Sequence, residues 1–289
     1  MVFSFLAVIF FSLGNIVCKY ISLNFNIYKT LFFQYVFVTL LGFIYLLVFW
    51  SFSIDYSLFN LMLYWSLWFF WYLAIWAMLE WMKYLSNAIV LIISYSYVFL
   101  CYFINSFIFS EIESFSFFKL ILATLFFISI SIFLVEKDWE TKEIKINKKI
   151  IFPILTAVGW TIYYTLNNYF IKTEIFSPTQ WIFYSEFFIL IFSTMAYIWN
   201  SIFWKIKIDF KIGNKQFLDS FSLAVLFFLW ILSTLIAYKE ISWNLVNFIG
   251  LFSIISTAIL SFFIFKDKLN KKQIIAIWLS FIILTIFIY

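Results

Sequence analysis

Residues 82–111 read MKYLSNAIVLIISYSYVFLCYFINSFIFSE, and residues 238–267 read YKEISWNLVNFIGLFSIISTAILSFFIFKD. In both, a lysine stands second (Lys83, Lys239), a serine fifth (Ser86, Ser242) and an acid last (Glu111, Asp267), at one offset of 156 residues. More than 20 uncharged residues lie between serine and acid, enough to cross a hydrocarbon layer about 30 Å thick. Nearer the start of the chain, Gln34 pairs with Gln180 at an offset of 146, and the longer Lys205 to Lys215 loop absorbs the difference. Coincidence among Leu, Ile and Phe is easy, so the repeat rests on the lysine, serine and acid positions.

The rest of the chain fits this reading. Of 289 residues, 66% are hydrophobic, 26% aromatic and 11% charged, and the mean hydropathy of +1.04 excludes a soluble domain. The length accommodates about ten spans of roughly 20 residues. Runs bounded by charges or turn residues place them near 2–18, 31–50, 58–79, 86–109, 115–135, 150–171, 178–203, 217–237, 242–265 and 273–289. The first has no basic stretch before it and no small-residue cleavage site before Lys19, so a retained span is expected rather than a signal peptide. The polar stretch 136–149 and the one near 205–219 are too short to bury a core. Pro153 and Pro178 fall in first turns, where a missing N–H costs nothing. With no proline inside a span, continuous helices are expected. Gly14, Gly42, Gly159 and Gly250 suit close helix contacts.

Chemistry is narrowed by what is missing. There is no His and no Arg, and Cys18 and Cys101 lie inside apolar runs. His-based acid–base catalysis, the usual zinc sites and a disulfide framework are excluded. No glycine-rich phosphate loop exists, so neither ATP nor any other cofactor is expected. The abundance of Phe, Tyr, Ile, Asn and Lys reflects A/T-rich codons in part, which weakens any inference to an aromatic substrate.

Two units of five spans, residues 1–135 and 150–289, joined by the charged linker 136–149, must run in opposite senses because five is odd. The expected fold is an all-α integral membrane protein of ten helices in two inverted repeats, an architecture of secondary transporters with the substrate site near the midplane. Ala77 to Ser86 and Ala237 to Ser242, each followed by a long span, an acid and another span, resemble the repeated unit of EamA-like members of the drug/metabolite transporter superfamily. The resemblance covers nearly the whole chain, through length, helix count and repeat spacing more than through exact motifs. Tyr97 and Ser253 stand where that family often has proline, and Leu13-Gly14 stands where it has Trp-Gly. The resemblance implies a central cavity lined by both halves and alternating access.

Lysines fix the expected orientation. Odd-numbered connections carry 16 lysines, counting Lys19 and Lys29 in the first, and even-numbered ones carry Lys119, Lys172 and Lys239. The positive-inside rule puts the odd connections in the cytoplasm and both termini outside, whereas the family usually has its termini inside.

Among the acids, Glu186 alone lies deep in a span, about eight residues past Pro178. A carboxyl there can exchange a proton, bind a cation or simply hold two helices together. Asn15, Gln34, Asn167, Asn168 and Gln180 place amides in or beside spans of both halves, as helix glue or as substrate ligands. Trp160 opens a polar stretch with Thr161, Tyr163, Tyr164 and Thr165 and is a candidate cavity wall. Glu80 and Lys83, three apart, are expected to neutralise each other at the interface. The leading functional expectation is a multi-pass plasma-membrane exporter of an amino acid or similar small solute. It works without nucleic acid, as a monomer or alternatively a dimer in the lipid bilayer. Transport of nucleotide-linked or lipid-linked sugar is the alternative. An enzyme would need convergent acids or a nucleophile with a base, so none is expected.

Overall fold

The computed structural model of the chain describes residues 1–49, 58–108, 116–131, 135–137, 144–146, 151–172, 178–205, 208–240, 246, 249–266, 269 and 271–288. The first half contains α1 (Val2–Asn24), α2 (Ile27–Phe49), α3 (Leu58–Met82), α4 (Asn87–Ser94), α5 (Tyr97–Ile108) and α6 (Phe117–Ser131). The second contains α7 (Ile151–Lys172), α8 (Pro178–Phe203), α9 (Asn214–Glu240), α10 (Phe252–Phe265) and α11 (Lys271–Ile288). Five described stretches are long and apolar enough to cross a membrane: Val2–Asn24, Ile27–Phe49, Asn87–Ile104, Ile182–Phe203 and Asn214–Ala237. Shorter apolar helices accompany them, including Phe117–Ser129 and Ile274–Ile288. The chain is a membrane-embedded helical protein.

Around the charged stretch 136–149, β1 (Val135–Lys137) pairs antiparallel with β2 (Ile144–Ile146), Val135 facing Ile146. Two expectations need correction. Lys19 does not end the first helix. It lies within α1, is 6% exposed, and its ammonium donates to the Leu85 carbonyl. A lysine's long stem lets its head leave an apolar helix face for a carbonyl, so one charge need not stop a helix.

The second correction concerns continuity. Between α4 and α5, Ser96 N–H donates to Ile93 O at 3.0 Å, Val98 N–H to Tyr95 O at 3.1 Å and Phe99 N–H to Ser96 O at 3.2 Å. These three-residue bonds form a tight turn that interrupts the α-helix. Before α10, Ile254 N–H turns to Leu251 O at 3.0 Å. The Gly250 carbonyl accepts instead from the Tyr95 hydroxyl at 3.0 Å. Tyr95 and Leu251 are 156 residues apart, the spacing that separates Lys83 from Lys239. No proline was needed, because a phenol from the facing helix satisfies a carbonyl at the turn.

The principal helix packings join one half to the other. Helix α1 lies on α9, α3 on α7, α2 on α8, α4 on α10 and α6 on α11. Glycines set the closest approaches: a Cβ on Gly159 of α7 would stand 2.6 Å from Phe70 O of α3, and one on Gly14 of α1 would stand 2.8 Å from the Phe227 ring of α9. Between α2 and α8, a Cβ on Gly42 would lie 3.2 Å from Phe183 Cα.

Polar contacts sort the helix ends onto two faces. On one, Lys29 Nζ pairs with Asp209 Oδ2 at 3.1 Å, Gln216 Nε2 donates to Thr30 Oγ1 at 3.0 Å, and Lys83 pairs with Glu80 at 2.7 Å, as their spacing requires. The Lys211 backbone N–H, at 2.8 Å, and then Lys29 hold the Asp209 carboxyl below its ordinary pKa. On the other face, the Met1 amino group pairs with Glu240 at 3.2 Å. There too, Lys119 sits 5.3 Å from the Phe287 ring centroid.

Candidate functional site

Both helix interruptions open onto one cavity of about 60 Å³. Its walls come from α1 (Ser4, Ala7, Val8 and Phe11), the α4–α5 turn (Tyr95, Tyr97), α7 (Trp160, Tyr164), α9 (Trp230, Thr234), Val246 and Gly250 before α10, and Ser253 at its start. The Tyr95 hydroxyl shares a 2.9 Å hydrogen bond with Ser253 Oγ, joining the two interruptions across the cavity. Tyr97 stacks on Tyr164 at 4.7 Å and meets Trp160 edge-on at 5.7 Å, while Phe11 packs against Trp230 at 4.7 Å. Among the described residues, no lysine, aspartate or glutamate lines the cavity. Such a space offers ring faces and hydroxyls, suited to a small solute carrying apolar and hydrogen-bonding parts.

Toward the Lys29 face, the cavity gives way to a buried polar layer. Trp71 of α3 connects the two: its indole stacks on Trp160 at 6.4 Å and on Trp230 at 6.0 Å, and packs on Tyr163 at 4.4 Å. The indole also approaches the Tyr35 hydroxyl of α2, close enough to interact but short of hydrogen-bond geometry. That hydroxyl lies within electrostatic range of Glu186, which is 2% exposed on α8. Glu186 does not line the cavity.

The other anticipated residues divide. Trp160 is a cavity wall, 2% exposed. Asn15 and Gln34 are completely buried away from it, and among the described residues neither side-chain amide has a hydrogen-bond partner. Asn15 takes part in helix contact through its backbone, accepting from Asn87 Nδ2 at 3.2 Å. An unmatched buried amide costs about 1–3 kcal/mol, so these two are poor glue in this arrangement of the helices. The side chains of Asn167, Asn168 and Gln180 lie outside the described residues.

Tyr95, Tyr97, Thr234, Trp230 and Ser253 escaped the sequence reading as site residues. A signal existed for two of them. Tyr97 and Ser253 lie at the 156-residue spacing and occupy the proline positions of the resembling family, yet both line the cavity. Nothing comparable marked Trp230 among 14 tryptophans. No protein-family model matches the sequence, and no curated protein is significantly similar to it.

Proposed function

We propose that the chain is a secondary transporter of the plasma membrane, with ten spans in two inverted five-helix repeats, moving a small organic solute by alternating access. The observation that carries this reading is a cavity lined from both halves at two helix interruptions 156 residues apart. The packing supports the repeat. Exchanging first-half helices with their proposed counterparts turns α1 on α9 into α7 on α3, and α2 on α9 into α8 on α3, all observed packings. Interrupted helices at corresponding positions of two halves mark the substrate site in transporters of this architecture. Amino-acid-sized solutes fit the aromatic and hydroxyl walls. A sugar linked through a diphosphate is less well supported, because it calls for cations and no lysine lines the cavity among the described residues.

A thermal-shift screen of the purified protein against amino acids, choline-like cations and nucleotide sugars tests the substrate class. Ligand at 100 times its Kd adds about 2.7 kcal/mol of stability. An amino acid is expected to raise Tm by several degrees and to show counterflow in proteoliposomes. Stabilisation by nucleotide sugars alone would favour the alternative, and stabilisers that never exchange across the bilayer would argue against transport.

Orientation has its own test. With the lysine-rich connections in the cytoplasm, a cysteine placed near Lys145 should resist a membrane-impermeant thiol reagent in intact cells, and one beside Tyr289 should react. The reverse pattern would mean that family precedent outweighs the lysine bias.

A further inference from the structure

Away from the cavity, α10 and α11 meet at Phe252 and Phe281, whose rings are 5.8 Å apart. Between that contact and the connection joining the two helices lies a groove of about 280 Å³. Its lining is apolar throughout, with Ile259, Phe263 and Trp278 strongly exposed. A second space of about 130 Å³ adjoins it, since Ala258, Phe262, Leu269 and Ile274 line both, and it adds the hydroxyl-bearing Ser86 and Ser261. Lysines crowd the end of the groove. Lys266 caps α10, and Lys271 and Lys272 begin α11, all three exposed, one turn from lining residues Phe262 and Ile274. With Lys268 and Asp267, residues 266–272 carry four lysines against one acid.

We infer that this groove is a binding site for an anionic phospholipid, one acyl chain lying between α10 and α11 and the phosphate headgroup held by Lys266, Lys271 and Lys272. Each part of the site matches one part of that ligand. Hydrocarbon fills an apolar recess open to the bilayer, and basic residues at a span end attract anionic headgroups. A second copy of the chain fits less well. A symmetric contact along this groove would bring the same lysine-rich connections from two copies together. The site does not depend on the transport reading, and it shares no lining residue with the central cavity.

The test titrates dioleoylphosphatidylglycerol or dioleoylphosphatidylcholine into delipidated full-length protein in neutral detergent, with bound lipid counted by native mass spectrometry. Wild type should prefer the anionic lipid by at least tenfold. The triple variant Lys266→Gln, Lys271→Gln, Lys272→Gln should lose most of that preference, at roughly fivefold per lysine. Lys205→Gln with Lys211→Gln, on another connection, should leave it unchanged. Ile259→Trp, at an exposed groove position, should weaken binding of both lipids. Equal binding of the two lipids by wild type, a preference that survives the triple variant, or one lost equally in the Lys205 and Lys211 variant would overturn the site. So would Ile259→Trp dissociating a protein dimer while leaving bound lipid unchanged.

Discussion

Ser253→Phe is expected to reduce solute transport in proteoliposomes to the level of empty liposomes, while Ser253→Ala keeps it within about fivefold of wild type. Ser253 is 1% exposed and borders the cavity between the two interruptions. A phenyl ring there occupies most of a space of about 60 Å³. Forcing it in costs roughly 1–3 kcal/mol of stability, a Tm loss of a few degrees that leaves a folded protein to assay. The alanine variant loses only the 2.9 Å hydrogen bond with the Tyr95 hydroxyl, typically about 1 kcal/mol. Thr234→Phe repeats the test from α9, on another wall. Wild-type transport by either phenylalanine variant would mean that the solute takes another route.

The sequence was most informative where one physical signal dominated. An apolar run bounded by charge or proline has little choice of structure in a bilayer, and α8 occupies Pro178–Phe203, the limits expected from Pro178 and the Trp204-Lys205 boundary. Errors arose where a second force competed. Lys19 looked like the end of a span because charge is costly in hydrocarbon, but the Leu85 carbonyl receives its ammonium, and α1 continues to Asn24. The turn at Tyr95 was invisible to a rule that looks for proline. What sustains it is a hydrogen bond to Gly250 O, 155 residues away, and no local pattern records such a partner. Cavity walls were legible in part for a similar reason. Trp160 stood out in a polar run, whereas Trp230 faces the same space from a stretch of Leu, Phe and Ile.

The buried layer raises a separate point about mechanism. Asn15 and Gln34 hold amides without partners among the described residues, and Glu186 sits at the level of Tyr35, all away from the open cavity. If the protein alternates between two arrangements, groups left unmatched in one are candidates for contacts in the other, because a buried polar group is costly unless some populated state satisfies it. Trp71 is the side chain placed to communicate between the levels, touching Trp160 and Trp230 on one side and approaching Tyr35 on the other.

Glu186→Gln should leave folding and solute binding near wild type yet abolish the response of transport to an imposed pH gradient. Glu186 is 2% exposed on α8, a helix that packs on α2, and glutamine preserves its shape and most of its hydrogen-bonding capacity while removing the proton it can gain and lose. The Tyr35 hydroxyl lies within electrostatic range of this carboxyl and feels its change of charge, so Tyr35→Phe should give a weaker version of the same defect, with the cavity intact. Three measurements separate proton coupling from simple helix adhesion: Tm of the purified variant, solute-induced thermal shift, and accumulation in proteoliposomes with and without the gradient. Coupling predicts that the first two stay close to wild type while gradient-driven accumulation falls to the level set by exchange alone. Adhesion predicts either wild-type behaviour in all three, since glutamine can bridge helices as well, or a general loss led by Tm. Undiminished gradient-driven accumulation by Glu186→Gln would remove this carboxyl from the transport cycle and leave its burial between α2 and α8 as a matter of packing alone.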